Sequence, residues 1–171
     1  QSVAEGLDSC AEGFMCWGVD EQGMGTCVAQ CMGDLVAPSC PNDGVCTIGG
    51  DGSLAVCLPY CDPLIQDCAE GAACYPLGDS FRCLADASGA AGEVNDPCEL
   101  INVCAPGLFC AEPAAVGAGC PPGSLGCCTP FCEVPDGKCP DPDQQCLPWL
   151  GPDMMPVGEP WVGLGFCGVP Q

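Results

Sequence analysis

Hydrophobic positions along this chain come in short runs that polar and glycine-rich turns interrupt. Three pairs of such runs enclose two to four residues drawn from Gly, Asp, Glu, Gln and Ser. The pairs are residues 17–19 with 24–26, 47–49 with 54–56, and 75–77 with 80–82. Short β-prone runs around turn residues predict β-hairpins. No segment keeps a helical apolar period for three turns, and residues 100–103 predict one helical turn at most.

Cysteines recur along the chain with a fixed displacement. Four cysteines are followed by four more, each 30 residues further on. They are Cys10, Cys16, Cys27 and Cys31, then Cys40, Cys46, Cys57 and Cys61. Such self-similarity indicates an array of small repeated modules. The register is set by the step in which three residues separate the last cysteine of one module from the first of the next.

This register predicts about five four-cysteine modules, the first of them incomplete. The complete sets are Cys31, Cys40, Cys46 and Cys57; Cys61, Cys68, Cys74 and Cys83; Cys98, Cys104, Cys110 and Cys128; and Cys132, Cys139, Cys146 and Cys167. Cys120 and Cys127 form an extra pair inside a long loop. The predicted modules are residues 1–30, 31–60, 61–84, 98–131 and 132–171, with a small, polar, cysteine-free linker at 85–97. Each module is expected to contact mainly its neighbours in an elongated array.

The first module, with Cys10, Cys16 and Cys27, lacks its first cysteine. Either that cysteine lies upstream of Gln1, or the spare thiol of this module bonds to another chain. Both interpretations explain the odd count of 21 cysteines.

Composition identifies what must hold such a chain together. Cysteine exceeds 10% of the 171 residues, and Leu, Ile, Val and Phe make up only about a fifth. A chain so poor in large side chains needs cross-links in place of a core. Disulfides persist in oxidising compartments, so we expect an extracellular or cell-surface protein, exported through a removed signal peptide. No apolar run is long enough for a membrane span.

The charge balance excludes several partners. The formal net charge is −21, and Arg82 and Lys138 are the only basic side chains. Binding to a nucleic-acid backbone or to an anionic membrane surface needs clustered Lys and Arg. The expected partners are therefore copies of this chain or other surface proteins.

The sequence offers few groups for catalysis or for cofactors. There is no histidine and no C-x-x-C spacing, which argues against histidine-based triads, zinc ribbons and thioredoxin-type redox sites. We therefore expect no enzyme and no cofactor. Weak Ca²⁺ candidates are Asp141 and Asp143, together with Asp20 and Glu21, but no EF-hand-type loop is present. The adjacent Cys127 and Cys128 are expected to belong to two different bridges.

Bulky side chains are concentrated in the terminal segment LPWLGPDMMPVGEPWVGLGF. They are Trp149, Met154, Met155 and Trp161. Exposed aromatics and methionines suit a contact surface. The alternative, which we prefer, is that they form the small core of the terminal module.

Three pairings are possible within a four-cysteine module, and spacing does not choose between them. The C-x5-C-x(3–5)-C layout resembles the short cystine modules of colipase and Dickkopf proteins, whose bridges run from first to third and from second to fourth cysteine. The resemblance implies the pairs Cys31–Cys46, Cys40–Cys57, Cys61–Cys74, Cys68–Cys83, Cys98–Cys110, Cys104–Cys128, Cys132–Cys146 and Cys139–Cys167. Cys10–Cys27 and Cys120–Cys127 then complete ten bridges, which leaves Cys16 as the cysteine with an upstream or intermolecular partner.

A second resemblance covers most of the chain. The segments CDPLIQDCAEGAACYP (61–76), DPCELINVCAPGLFC (96–110) and GCCTPFC (126–132) resemble cysteine-rich secreted proteins of myxobacteria and related bacteria. The resemblance implies an extracellular protein, with a further cysteine-rich module upstream. It implies no catalytic residues, because that family has no agreed activity.

Three functional hypotheses follow. The leading one is an extracellular structural or interaction protein of the cell surface or matrix, in one version a fibre-forming subunit. The second is a secreted module that binds Ca²⁺ or another ligand. The third is a protease inhibitor that presents the loop at residues 151–160.

Overall fold

A computed structural model describes most of the chain. The described residues are 9–17, 25–34, 37–41, 44–49, 54–78, 80–135, 137–150, 155, 157 and 159–170. They divide into two compact units, which comprise Gln1–Tyr60 and Cys61–Gln171.

The described residues form eleven short strands and one four-residue helix, and the rest is turns and irregular structure. The strands are β1 (Phe14–Trp17), β2 (Thr26–Ala29), β3 (Val45–Gly49), β4 (Leu54–Leu58), β5 (Ala72–Leu77), β6 (Ser80–Ala85), β7 (Pro97–Cys98), β8 (Leu108–Ala111), β9 (Gly126–Glu133), β10 (Gln145–Pro148) and β11 (Leu164–Gly168). The helix α1 is Pro113–Val116. The predicted fold class, disulfide-rich and mostly irregular with short hairpins, is confirmed.

The three predicted hairpins are present, although the first and second turns lie outside the described residues. They are the antiparallel pairs β1–β2, β3–β4 and β5–β6. The β5–β6 strands pair from Leu77↔Ser80 at the turn to Ala72↔Ala85 at the open end. A glycine with φ of +64°, Gly78, stands between these strands. A turn of this kind favours glycine because L side chains are strained at positive φ.

Ten disulfides join twenty of the 21 cysteines: the eight pairs that the colipase and Dickkopf resemblance implies and the two further predicted pairs, Cys10–Cys27 and Cys120–Cys127. They are Cys10–Cys27, Cys31–Cys46, Cys40–Cys57, Cys61–Cys74, Cys68–Cys83, Cys98–Cys110, Cys104–Cys128, Cys120–Cys127, Cys132–Cys146 and Cys139–Cys167. As predicted, the adjacent Cys127 and Cys128 belong to different bridges.

The bridges hold each hairpin in the same way. In every complete module the third and fourth cysteines stand directly opposite each other on paired strands, as Cys46↔Cys57 and Cys74↔Cys83 do. Neither is bonded to its opposite neighbour. Each is bonded instead to one of the two cysteines that precede the hairpin. The segment before the hairpin is therefore disulfide-bonded to both strands. In the first module Cys16 stands opposite Cys27 at the equivalent position.

The first unit, Gln1–Tyr60, contains two hairpins that touch edge to edge. An isolated bridge pairs Gln30 with Val56, and the Cys31 N–H donates to the Ala55 carbonyl at 3.1 Å. Val56 and Leu58 are its buried aliphatic side chains among the described residues. Three disulfides therefore provide much of the stabilisation that an apolar core provides in a larger domain.

The second unit, Cys61–Gln171, is built around strand β9. Its carboxyl-terminal end pairs with β11, which pairs in turn with β10, while its amino-terminal part pairs with β7 and β8. The β5–β6 hairpin packs against this sheet through a shared apolar cluster that includes Phe81. The three predicted modules at 61–84, 98–131 and 132–171 therefore share one core.

The predicted linker at 85–97 is packed within the second unit, and the division between units lies instead at Tyr60–Cys61. The Asp96 carboxylate accepts hydrogen bonds from the Gly92 and Glu93 N–H groups, and the Asn95 N–H donates to the Cys128 carbonyl at 2.8 Å. Gly92 is buried with φ of +90°. A Cβ there would overlap the Val103 carbonyl oxygen. Small polar residues in this segment thus allow close packing, not independent movement.

Contacts in the second unit also skip a module. Phe81, in module 61–84, lies 5.2 Å from the rings of both Trp149 and Trp161 in module 132–171. The second unit therefore has contacts between modules that are not neighbours along the chain, in addition to those expected between neighbours. The Phe81 ring contacts both module 98–131, through Phe131, and module 132–171, because strand β9 joins these two modules.

Candidate binding groove

Six aromatic rings of the second unit form one cluster. They are Phe81, Phe109, Phe131, Trp149, Trp161 and Phe166. Phe109 stacks on Phe131 with ring centroids 4.9 Å apart, and the Trp149 ring meets Phe109 edge-on at 4.9 Å. Edge-to-face and offset contacts at these distances are favourable beyond the area they bury. The cluster is therefore a well-defined core with a fixed geometry.

Two tryptophans predicted as either contact surface or core lie in this cluster. Trp149 and Trp161 are both half-buried. The Trp161 indole N–H donates to the Cys61 carbonyl at 3.0 Å, which ties residues 100 positions apart. The preferred interpretation predicts a core that belongs to the terminal module alone. In the structure, the core that contains these tryptophans also includes Phe81 and Phe109 from the two preceding modules. Met155 is exposed, and Met154 lies outside the described residues.

One side of the aromatic cluster opens into an apolar groove of about 700 Å³. Its lining comes from β8, α1, β10 and β11 with adjacent residues: Phe109, Cys110, Ala111, Glu112, Ala115, Leu147, Pro148, Trp149, Leu150 and Phe166. We call this the aromatic groove. Phe109 is buried in its floor, while Leu150 and Glu112 are exposed at its rim. Its size falls within the range of small-ligand and side-chain pockets in proteins.

Disulfides and close backbone packing fix the walls of the aromatic groove. Cys98–Cys110 anchors β8, and Cys132–Cys146 anchors β10. Gly168 lets β11 approach α1 closely, because a Cβ there would lie 2.9 Å from the Ala115 carbonyl oxygen and 2.8 Å from the Phe166 ring. Gln144 adds a further tie, since its side-chain amide donates to the Val116 carbonyl at 3.0 Å. The groove is thus preformed.

The charge of the groove lining comes from one acidic side chain. Glu112 is the one titratable side chain in the lining, since Cys110 is in a disulfide. Of the two basic side chains in the sequence, Arg82 is buried and its guanidinium donates to the Phe81 carbonyl at 2.9 Å, whereas Lys138 is exposed. The chain therefore presents one exposed basic side chain, Lys138, against 23 acids.

A second cleft of about 730 Å³ lies between the loop after β7 and the loop before β9. Its prolines, Pro97, Pro121 and Pro122, are flanked by Leu100 and Leu125, which are 62% and 74% exposed. This cleft lacks aromatic side chains. It offers apolar contact area from prolines and aliphatic side chains.

Tyr75 joins two modules through a buried phenol. Its hydroxyl donates to the Cys104 carbonyl at 2.7 Å, and the Asp86 carboxylate lies 3.2 Å away. Burial raises the pKa of Tyr75, and the negative charge of Asp86 and the hydrogen bond to it raise it further. Tyr75 stays neutral across the physiological range and acts as a structural tie.

Of the weak Ca²⁺ candidates, the described pair Asp141 and Asp143 is not part of a group of acids close enough to share a metal ion. Asp141 accepts a hydrogen bond from the Asp143 N–H at 2.9 Å, which closes a local turn. Within the described part of the chain, the groups close enough to share a metal ion consist of cysteines alone, such as Cys98, Cys104 and Cys128. These sulfurs are in disulfides and so lack the thiolate that binds metals. Asp20 and Glu21 lie outside the described residues, as does most of the predicted inhibitor loop at 151–160.

Sequence reasoning missed Phe109, Phe166, Glu112 and α1 as parts of a groove. A signal was present, because three of the five phenylalanines, Phe109, Phe131 and Phe166, stand directly before a module cysteine. In a strand, neighbouring side chains point to opposite faces. A disulfide on one face therefore predicts an aromatic on the other, and three such strands predict a shared aromatic layer.

Comparison of the chain with protein-family models, with curated proteins and with solved structures finds no significant match in any of the three. The resemblance to cysteine-rich secreted proteins of myxobacteria stays a prediction. Among the described residues, no helix has the length and apolar character needed to cross a membrane.

Proposed function

We propose that this protein is an extracellular interaction protein, held rigid by its disulfides, that binds partners at the cell surface or in the matrix. The observation that carries this proposal is the preformed aromatic groove. Fixed, concave, mostly apolar sites with a few polar groups are typical of binding sites. Rigid walls favour binding because little conformational entropy is lost when a partner docks.

The compartment follows from the state of the cysteines. Ten disulfides indicate an oxidising environment. We propose that the chain reaches that environment by export and functions outside the cell. The acidic surface would keep such a protein soluble through self-repulsion.

A non-catalytic role is part of the proposal. The aromatic groove contains Glu112 as its one ionisable side chain, at an exposed rim. General acid–base catalysis needs groups that are positioned and usually shifted in pKa. Among the described residues, the clear pKa shift is that of Tyr75, whose hydroxyl is buried in a structural contact.

A fibre-forming version of the function remains a second candidate. Strand β10 is the terminal strand of its sheet among the described strands, so one edge offers backbone groups for strand addition. Self-association would have to overcome a charge of −21 on every copy. We therefore expect any assembly to need salt or multivalent cations.

Two measurements on the native protein test this proposal. Cells are fractionated with thiol alkylation in place, and we expect the chain in the surface or medium fraction with its disulfides formed. Recovery from the cytoplasm with alkylated cysteines would contradict an extracellular role. Non-reducing electrophoresis and electron microscopy across a salt series then distinguish a soluble protein from a fibre. A monomer at every salt concentration would exclude the fibre-forming version.

A further inference from the structure

We infer that the aromatic groove binds a basic peptide segment of a partner protein through one aromatic anchor residue. The inference rests on the proposed function and specifies the chemistry of its partner. It combines the aromatic floor of the groove with the exposed acid on its rim and the net charge of −21 on the chain.

Charge complementarity selects a basic occupant. The chain carries 23 acids, Arg82 is buried, and Glu112 is exposed on the groove rim. A second copy of the chain would bring another 21 negative charges and be repelled. A segment with lysine or arginine on both sides of its anchor would instead be attracted and steered towards the rim.

The floor of the groove selects an aromatic anchor. Phe109, Trp149 and Phe166 meet one another edge-on, with centroids 4.9 to 6.1 Å apart. A ring that packs against the side of this cluster facing the groove would gain further edge-to-face contacts. Buried aromatic anchors carry most of the energy in many interfaces, whereas charged groups at the rim adjust rate and selectivity.

The probe for this inference is a blocked pentapeptide, KKFKK, titrated into the oxidised ¹⁵N-labelled chain. We expect the amide signals of Phe109, Glu112 and Leu150 to shift together. The peptide KKSKK lacks the ring and should bind about tenfold more weakly or worse, because its serine buries much less apolar area in the groove. The peptide EEFEE keeps the ring and should give no groove shifts, because its charge is reversed.

Matched variants test the rim. Glu112→Lys should weaken KKFKK binding about three- to tenfold, because it replaces an attractive charge by a repulsive one. Glu70→Lys changes the net charge equally at an exposed turn outside the groove, and should change affinity less than twofold. Leu150→Ser removes an exposed apolar side chain from the rim and should weaken binding, whereas Leu125→Ser makes the same change in the second cleft and should not.

The outcomes separate this inference from the proposed function. Equal affinity for KKFKK and KKSKK, or equal losses in Glu112→Lys and Glu70→Lys, would show non-specific charge attraction and overturn the groove assignment. Absence of binding by the oxidised chain would overturn it as well. Neither result bears on the extracellular location, which the cell fractionation tests separately: a native chain found reduced inside the cell would contradict that part of the proposed function and leave the peptide result unchanged.

Discussion

At the scale of single residues, the fold depends on a few side chains and glycines that make contacts which no neighbour can replace. Tyr75 is fully buried and connects a hairpin to the carbonyl of Cys104, 29 residues away. Gly92 occupies a space in which a methyl group would overlap backbone. Both contacts lie in the second unit, and both hold a local segment against residues 103–105.

Replacing Tyr75 by Phe should cost about 1–2 kcal/mol of unfolding free energy, because the Cys104 carbonyl loses its buried donor. The raised pKa favours the neutral phenol in the folded chain. Its contribution is therefore full below the pKa of an unfolded tyrosine, about 10, and declines as the pH rises above it. Denaturant unfolding of both proteins between pH 7 and pH 11 checks this: the stability gap should narrow above pH 10, and a constant gap would contradict the assignment.

At the scale of elements, the hairpins are predictable because their signals are local. Gly78 and its neighbours specify a turn, and the β-prone residues on either side specify the strands. The cysteine register was equally readable, because spacing between cysteines is preserved where other residues differ. The module pairing needed an analogy, since spacing alone permits three connectivities.

The packing of residues 85–97 was not predictable in the same way. A small polar segment without cysteine has the composition of a linker, and also that of a tight loop. What decides between them is Asp96 accepting from Gly92 and Glu93, and the Asn95 N–H donating to Cys128, a residue far along the sequence. The aromatic core was missed for the same reason, because Phe81 and Trp149 are distant in sequence and meet only in the folded sheet.

Two glycine variants in that segment test whether it is packed. Gly92 and Gly89 both have positive φ, so an alanine strains the backbone at either position. Only Gly92 has backbone atoms within reach of a Cβ, with the Ala105 nitrogen at 3.0 Å, whereas Gly89 has nothing within 4 Å. We expect Gly92→Ala to cost about 1–3 kcal/mol more than Gly89→Ala in denaturant unfolding. Equal costs would show that 85–97 is a linker after all.

At the scale of the whole molecule, both disulfides and aromatic contacts stabilise the fold. The first unit relies on its three disulfides, while the second adds a six-ring aromatic cluster. The two interpretations of Cys16, an upstream partner or a partner chain, stay predictions, as does the elongated shape. In the second unit, the disulfides Cys98–Cys110 and Cys132–Cys146 also fix the walls of the aromatic groove, so the same bonds stabilise the fold and shape the candidate site.

The central claim is that the cysteines form interleaved bridges, and peptide mapping of the unreduced native protein tests it most directly. With two basic residues in the chain, cleavage has to rely on proteases that cut at acidic residues, or on pepsin. We predict linked peptides that join first to third and second to fourth cysteines, with Cys61–Cys74 and Cys68–Cys83 as a clear case. Linked peptides that instead join Cys61 to Cys68, or Cys10 to Cys16, would contradict the account.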